Sequence, residues 1–275
     1  MPGVFRCGDV SFPLGKKTYI MGILNLTPDS FSDGGLYNTR VAALERALEM
    51  QAQGADLIDV GAVSTRPGSV PADEAEELRR LSFLGEICGA LRVPVSVDTY
   101  NVRTAEYALD CGAKLINDVS GRYQPEMAAL VRSSGCGYIV MHSPVANAGD
   151  IADYAGGIVP CVQAFFDEML ERLVSSGIPT ERLCLDPGFG FGKDTQQNLA
   201  LLQELDRLDT HGVCLLSALS RKRFVRGISD SPPEDCDAAT VAGCVISIQK
   251  GANMLRVHNV VDCARAARFA DAIYR

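Results

Sequence analysis

The chain has 275 residues, 47% of them hydrophobic and 22% charged, with a formal net charge of −8. That length and apolar content suit one large domain or two small ones with a core of ordinary size. The acidic balance argues against a general nucleic-acid or acidic-membrane partner, but leaves room for a local cationic pocket that takes a small anion.

From the N-terminus, the turn signals "CGD" and "PLGKK" in the first 18 residues predict a small hairpin. The stretch "MGILNLTPDSFSDGG", residues 21–35, then passes from strand formers to turn formers at Asn25. A helical pattern over 40–53 follows, with Val41, Leu44, Leu48 and Ala52 at helical spacing. "GADLIDVG" from Gly54 predicts a strand ending near Asp59, and 73–91 a helix. "VPVSVDT" ends at Asp98, before a helix over 101–111. "GAKLINDVSG" ends at Asn117 and Asp118, before a helix over 124–134. "GCGYIVMHS" ends at His142, before a helix over 160–176. "RLCLDPG" ends at Asp186, before a helix over 195–209. "GVCLLSALS" ends near Ser217, before a helix over 234–250. "GANMLRVHN" carries Arg256 and His258, and 260–274 is the last helix. Four of these strands open on Gly after a helical pattern, as a helix C-terminus prefers.

Eight strands alternating with eight helices over about 255 residues predict a (β/α)8 barrel. A doubly wound open sheet is the alternative, and the count of eight favours the barrel. We expect a single domain over 1–275, with residues 1–18 capping its bottom. In such barrels, chemistry sits at the C-terminal ends of the strands. Asn25, Asp59, Asp98, Asn117, His142, Asp186 and His258 would then share one face. The longer polar stretches 26–39, 61–72, 143–158 and 187–195 all follow strands, as active-site loops do.

Asp98 and Asp186, with Asn117, could accept hydrogen bonds from a ring edge that carries several N–H donors. The bland reading is that each Asp caps the helix that follows. A pair of carboxylates could also act as general acid and base. The cations are Arg66 in "STRPG", Arg221 and Lys222 in "LSRKRF", and Arg256 two residues before His258. Arg66 and the basic triplet could equally be solvated surface charges. Arg256 interrupts an apolar strand, where a charge without a partner or ligand is costly. Together the cations suit a phosphate or diphosphate, and Asn25 could offer an oxygen to the Mg²⁺ that often accompanies one. "DPGFGFGK", residues 186–193, lacks P-loop spacing. Its glycines at 188, 190 and 192 permit tight turns and leave Phe191 to pack on a planar ligand.

The ten cysteines include no CxxC pair, which disfavours a zinc ribbon or redox dithiol. Buried thiols, with no apolar run of signal-peptide or membrane-span length, predict a cytoplasmic protein.

Seven ordered motifs, "MGILNLTPDSFSDGG", "STRPG", "SVDT", "INDVSG", "LDPGFGFGK", "SRKRF" and "RVH", resemble those of the bacterial dihydropteroate synthases of the folate pathway. The resemblance runs from about residue 19 to 274. It implies condensation of 6-hydroxymethyl-7,8-dihydropterin diphosphate with 4-aminobenzoate, assisted by Mg²⁺, to give 7,8-dihydropteroate and pyrophosphate. It implies that Asp98, Asn117, Asp186 and Lys222 hold the pterin, and that Asn25 serves magnesium and diphosphate. Thr65, Arg66, Arg256 and His258 would complete the anion site. Phe31, Thr65, Pro67 and Phe191 would form the aminobenzoate pocket, and Asp33 would order the first loop. Asn25, Arg66, Lys222, Arg256 and His258 are the residues it implies for catalysis. It also implies a sulfonamide target and a homodimer through the last helices. Three places depart from the common pattern: Ala62-Val63 where Gly-Glu is usual, Ser143-Pro144 after His142, and Ala218 where Gly is common. A pterin-binding methyltransferase domain and a non-catalytic pterin-binding paralogue are the rivals. The methyltransferase domain needs no diphosphate site, so Arg66, Arg256 and His258 count against it, and the intact motif set counts against the non-catalytic paralogue.

Overall fold

A computed structural model describes residues 3–26, 35–63, 73–145, 150–232 and 235–275, with backbone alone at 35–39. The chain opens with an antiparallel hairpin, β1 (Val4–Cys7) and β2 (Val10–Pro13). Then come β3 (Tyr19–Asn25), α1 (Gly35–Ala52), β4 (Leu57–Gly61), α2 (Glu74–Arg80), α3 (Leu84–Ala90) and β5 (Val95–Asp98). Next are α4 (Val102–Asp110), β6 (Leu115–Asp118), α5 (Pro125–Ser134), β7 (Gly137–Met141), α6 (Ile158–Ser175) and β8 (Leu183–Asp186). The chain ends with α7 (Thr195–Gln203), β9 (Cys214–Ser217), α8 (Arg223–Ser229), α9 (Asp237–Gln249), β10 (Met254–Val257) and α10 (Val260–Tyr274). Strands β3 to β10 are all parallel and close into a barrel, β10 bonding back to β3. The expected (β/α)8 fold with an N-terminal hairpin is the observed one.

The strands read as nearly continuous apolar runs because both their faces are covered. Outward residues such as Ile20, Leu24, Ile58, Val60, Val97 and Leu255 join the helices in one large core. Inward residues Met21, Leu57, Leu115, Ile139, Cys184, Cys214 and Met254 form a second, smaller core. The hairpin supplies Phe5, Cys7 and Phe12 to that inner core, and so plugs the N-terminal end of the barrel. Phe12 meets Tyr19 edge-on at 4.9 Å, and Tyr19 Oη donates to Pro13 O at 2.8 Å. Truncating a fully buried ring such as Phe5 would cost about 3–5 kcal/mol.

The period of two along each strand sets where polarity begins. Leu57 and Asp59, Leu115 and Asn117, Cys184 and Asp186, and Met254 and Arg256 are inward pairs two residues apart. Each runs from an apolar floor to a polar mouth.

The helices differ from expectation in three places. The stretch 73–91 forms two helices, because residues 81–83 tighten into a turn with bonds from Ser82 N to Arg79 O and Leu84 N to Leu81 O. Leu81, Leu84 and Ile87, three apart, all stay buried across that break. The pattern over 195–209 ends its α-helix at Gln203 and finishes in a short 3-10 turn, Leu205–Arg207. Helix α8 escaped prediction: seven residues rich in Arg, with Gly227 inside, show only Phe224 and Val225 buried. Asp73 accepts from Glu76 N, and Asp194 forms a capping box with Gln197.

Candidate active site

The barrel mouth gathers side chains from six strands. Asn25 ends β3 and lies opposite Gly61 of β4 in the ladder, and Gly61 lies opposite Asp98 of β5. A Cβ at Gly61 would sit 3.5 Å from Asn25 Oδ1 and 3.9 Å from Asp98 Oδ2, so Asn25 and Asp98 flank a gap that glycine leaves. Asp98 in turn faces Asn117 of β6.

Arg256 of β10 crosses the interior. Its Nε donates to Asp59 Oδ2 at 2.6 Å, and its Nη2 donates to Asp98 Oδ2 at 2.9 Å. Asn117 Nδ2 donates to the same Asp59 oxygen at 3.1 Å. Asp59 is wholly buried, and Arg256 is the cation that compensates it. Neither candidate Asp is the cap of the bland reading. The residue before α4 is Asn101, and Asp98 is turned inward to Arg256. Asp186 accepts from Gly188 N at 2.7 Å, within its own turn.

Burial pushes the Asp98 carboxyl up to about 7, against the pull of Arg256 and with a further push from Asp59. Burial likewise raises Asp186, against the Gly188 N–H and the two lysines Lys222 and Lys193. Burial lowers Arg256, but Asp59 and Asp98 more than reverse this. Lys222 is drawn down to about 8 by burial, with Asp186 holding it up and Arg256 pressing it down. Its ammonium lies 4.0 Å from the centre of the Phe191 ring, a cation–π contact at the rim.

The loop after β8 places Phe191 and shapes the path of Lys222. Gly188 has φ +70°, and a Cβ there would strike His142 O at 2.0 Å. Gly190 has φ +79°, and a Cβ there would stand 2.9 Å from Lys222 Cδ. Lys193 ties the loop from below. Its Nζ donates to Gly188 O at 2.8 Å and Phe191 O at 3.0 Å, and lies 2.9 Å from His142 Nδ1. Burial draws Lys193 down to about 7. His258, just past β10, receives its own support: its ring Nδ1 is 3.0 Å from Ser220 Oγ, and its backbone N–H donates to the same oxygen at 3.2 Å.

The structure thus brings together Asn25, Asp98, Asn117, Asp186, Phe191, Lys222, Arg256 and His258 at one end of the barrel. Phe31, Asp33, Thr65, Arg66 and Pro67 lie outside the described residues. The basic triplet is divided. Arg221, at φ +57°, turns away to a two-bond ion pair with Asp237, while Arg223 is exposed. Two residues with evident work in the site carried no sequence-assigned role, although Asp59 was expected on this face. Asp59 had the same signal as Arg256, a charge inside an apolar strand. Lys193 was legible only as the end of a glycine loop.

A sequence model for the pterin-binding enzymes matches residues 21–258. The dihydropteroate synthase of Bacillus subtilis is 40% identical over 94% of this chain and 89% of its own. A structure of the Xanthomonas albilineans dihydropteroate synthase with 4-aminobenzoic acid superposes with a TM-score of 0.92. It is 37% identical and covers 99% of this chain and 98% of that one. The same enzyme in complex with 7,8-dihydropteroate gives a TM-score of 0.86 at 36% identity, with 98% of both chains covered. With barrel, mouth and motifs in agreement, this chain belongs to the pterin-binding enzyme family, among the dihydropteroate synthases.

Proposed function

We infer that the chain condenses 6-hydroxymethyl-7,8-dihydropterin diphosphate with 4-aminobenzoate, releasing 7,8-dihydropteroate and pyrophosphate in folate biosynthesis. The observation that carries this reading is the meeting of three acceptor side chains, Asp98, Asn117 and Asp186, with Lys222 at one barrel mouth. An aminopyrimidine edge offers N–H donors to such acceptors. Lys222 offers a donor to the ring's carbonyl side and is held near Phe191, where the second, aromatic substrate would stack.

The chemistry asks for charge stabilisation more than for a strong base. The amine of 4-aminobenzoate is neutral near pH 7, and the departing diphosphate takes the negative charge. His258 and Arg256 stand on the β10 side of the mouth to meet that charge as it develops. Two of the three guanidinium nitrogens of Arg256 serve Asp59 and Asp98, so the third is the one that can serve an anion. Thr65 and Arg66 would complete this side, and Phe31, Pro67 and Phe191 the aminobenzoate pocket. Asp33 would order the first loop.

The donor set fits Mg²⁺ as a companion of the diphosphate. Asn25 offers one neutral amide oxygen at the mouth, and no group of three His, Cys, Asp or Glu among the described residues makes a resident metal cage. Mg²⁺ keeps several waters and is commonly shared with substrate phosphates. When bound, it would neutralise the leaving diphosphate.

A homodimer is part of the same proposal. Ile246, Phe269, Ile273 and Tyr274 expose large apolar side chains on α9 and α10, Phe269 at 72%. Ile248 and Ala270, on the same helices, pack inward instead. No helix among the described residues is long and apolar enough to cross a membrane, and the ten cysteines form no disulfide. A reducing cytoplasm suits those thiols.

The test is pyrophosphate release by the purified protein with pterin diphosphate and Mg²⁺, with and without 4-aminobenzoate. Release that requires 4-aminobenzoate, forms dihydropteroate and stops on chelation by EDTA is the expected result. Pterin binding without release would instead support a methyltransferase domain or a non-catalytic binder.

A further inference from the structure

The inner layer of the mouth holds an arrangement that substrate holding alone does not explain. Asp59 is wholly buried, one ladder step below Asp98, and lies opposite Ser96. Its Oδ2 takes both Arg256 Nε and Asn117 Nδ2. Three buried side-chain atoms in this layer have no hydrogen-bond partner among the described residues: Asp59 Oδ1, Ser96 Oγ and Asn117 Oδ1. Asn117 itself is only 1% exposed.

Hydrogen-bond chemistry determines which way the Asn117 amide must face. The carboxylate of an ion pair only accepts. Asn117 must therefore offer Asp59 its NH₂ group, and its carbonyl oxygen must turn elsewhere. Two of the three unpartnered atoms are obligate acceptors, and Ser96 Oγ can accept too. A buried acceptor left bare keeps its full desolvation cost until a donor reaches it. A pocket built this way favours a ligand that brings donors and rejects one that brings carbonyls.

We propose that Asp59 is a positioning residue that sets the polarity of the ring pocket. It holds Asn117 with Nδ2 inward and Oδ1 toward the ligand, so that the pocket selects ring edges rich in N–H donors. The same carboxylate fixes the Arg256 guanidinium between β4 and β5. This inference rests on the pterin reading above, and it extends that reading from which residues touch the ring to what gives one of them its direction.

The test compares two rings of equal size, 2-amino-4-oxopteridine and 2,4-dioxopteridine, by quenching of their fluorescence. The second replaces an amino donor with a carbonyl acceptor. The wild type should prefer the amino ring. Asp59→Asn should reduce that preference by at least about ten-fold, since an amide at 59 can donate to Asn117 Oδ1 and let Nδ2 turn outward. In an Asn117→Ala background the same substitution should leave the preference unchanged within about two-fold. Equal weakening of both rings by Asp59→Asn would overturn the proposal, as would the same change in preference with and without Asn117. Should Asp59→Asn fail to fold, Asn117→Ala alone decides, since an undiminished preference would mean that the amide does not select the ring. The synthase reading fails separately. A wild type that prefers the amino ring but releases no pyrophosphate sinks that reading and leaves this one, whereas a wild type without preference sinks this one.

Discussion

Acid sensitivity should trace to His142. This ring sits just past β7, 4% exposed, with Nδ1 2.9 Å from the Lys193 ammonium. An ammonium only donates, so Nδ1 accepts and the ring is neutral, with its hydrogen on Nε2. Burial, and then the charge of Lys193, lower its pKa to about 3. The unfolded chain takes up this proton near the ordinary value of about 6.5. The stability at stake is therefore fully present above about 6.5 and is lost as pH falls toward 3. The gap sets an upper limit of roughly 5 kcal/mol, with a slope of about 1.4 kcal/mol per pH unit between the two values. Asp98, Asp118 and Asp186 work in the opposite direction, because burial raises all three and the folded state then gains stability by taking protons first. The readout is accordingly a difference. His142→Asn places Oδ1 where Nδ1 was, keeps an acceptor for Lys193 and cannot be protonated. Urea denaturation at several pH values from 6.5 to 4.5 should show the wild type losing roughly 2–3 kcal/mol more than the variant. Parallel curves would refute the reasoning, since they would mean that no proton is gained at this position on unfolding.

Arg256→Gln leaves Asp59 and Asp98 without their cation, and we expect a loss of about 3–5 kcal/mol in denaturant titrations. Adding Asp59→Asn should restore part of that loss, and no restoration would contradict the ion-pair account. Because Asp98 loses a donor as well, free pterin binding should weaken somewhat, but turnover of the pterin diphosphate should fall much further, and an equal fall would make Arg256 structural only. With Asp98 near 7 and Lys222 near 8, kcat/KM for the pterin diphosphate should rise through the first value and fall through the second. Lys222→Met should lower kcat/KM by about 10²-fold and abolish the alkaline limb; an unchanged limb would assign it to another group. Gly190→Ala must hold a left-handed backbone and displace Lys222 Cδ, so melting should report a loss of about 1–2 kcal/mol and KM should rise. A variant with wild-type KM would show that Lys222 needs no such clearance.

Much of the fold follows from local patterns. Eight apolar runs, each ending in a polar residue, carry their own strand signal. Glycine openings such as Gly54, Gly112 and Gly251, all at positive φ, mark helix ends. Short helices were harder to read. Helix α8 has too few buried positions for a period to show, and the break after Arg80 depends on how Leu81, Phe83 and Leu84 pack.

The residue types at the mouth were legible as well, because an Asp, Asn or Arg inside an apolar strand is costly without a purpose. What those residues do to one another was not. The sequence separates Asp59 from Arg256 by 197 positions and Asp98 from Arg256 by 158, and no local spacing carries such a pairing. Closure of the barrel brings β10 beside β3 and lets Arg256 reach β4 and β5 across the interior. The same closure turns Arg221 outward to Asp237 while Lys222 stays within, although the two are adjacent in the chain. Sequence by itself determined the strands, their inward residues and the kind of chemistry they can support. Tertiary structure decided which charges neutralise each other and which remain for a ligand, because that depends on distances across the barrel.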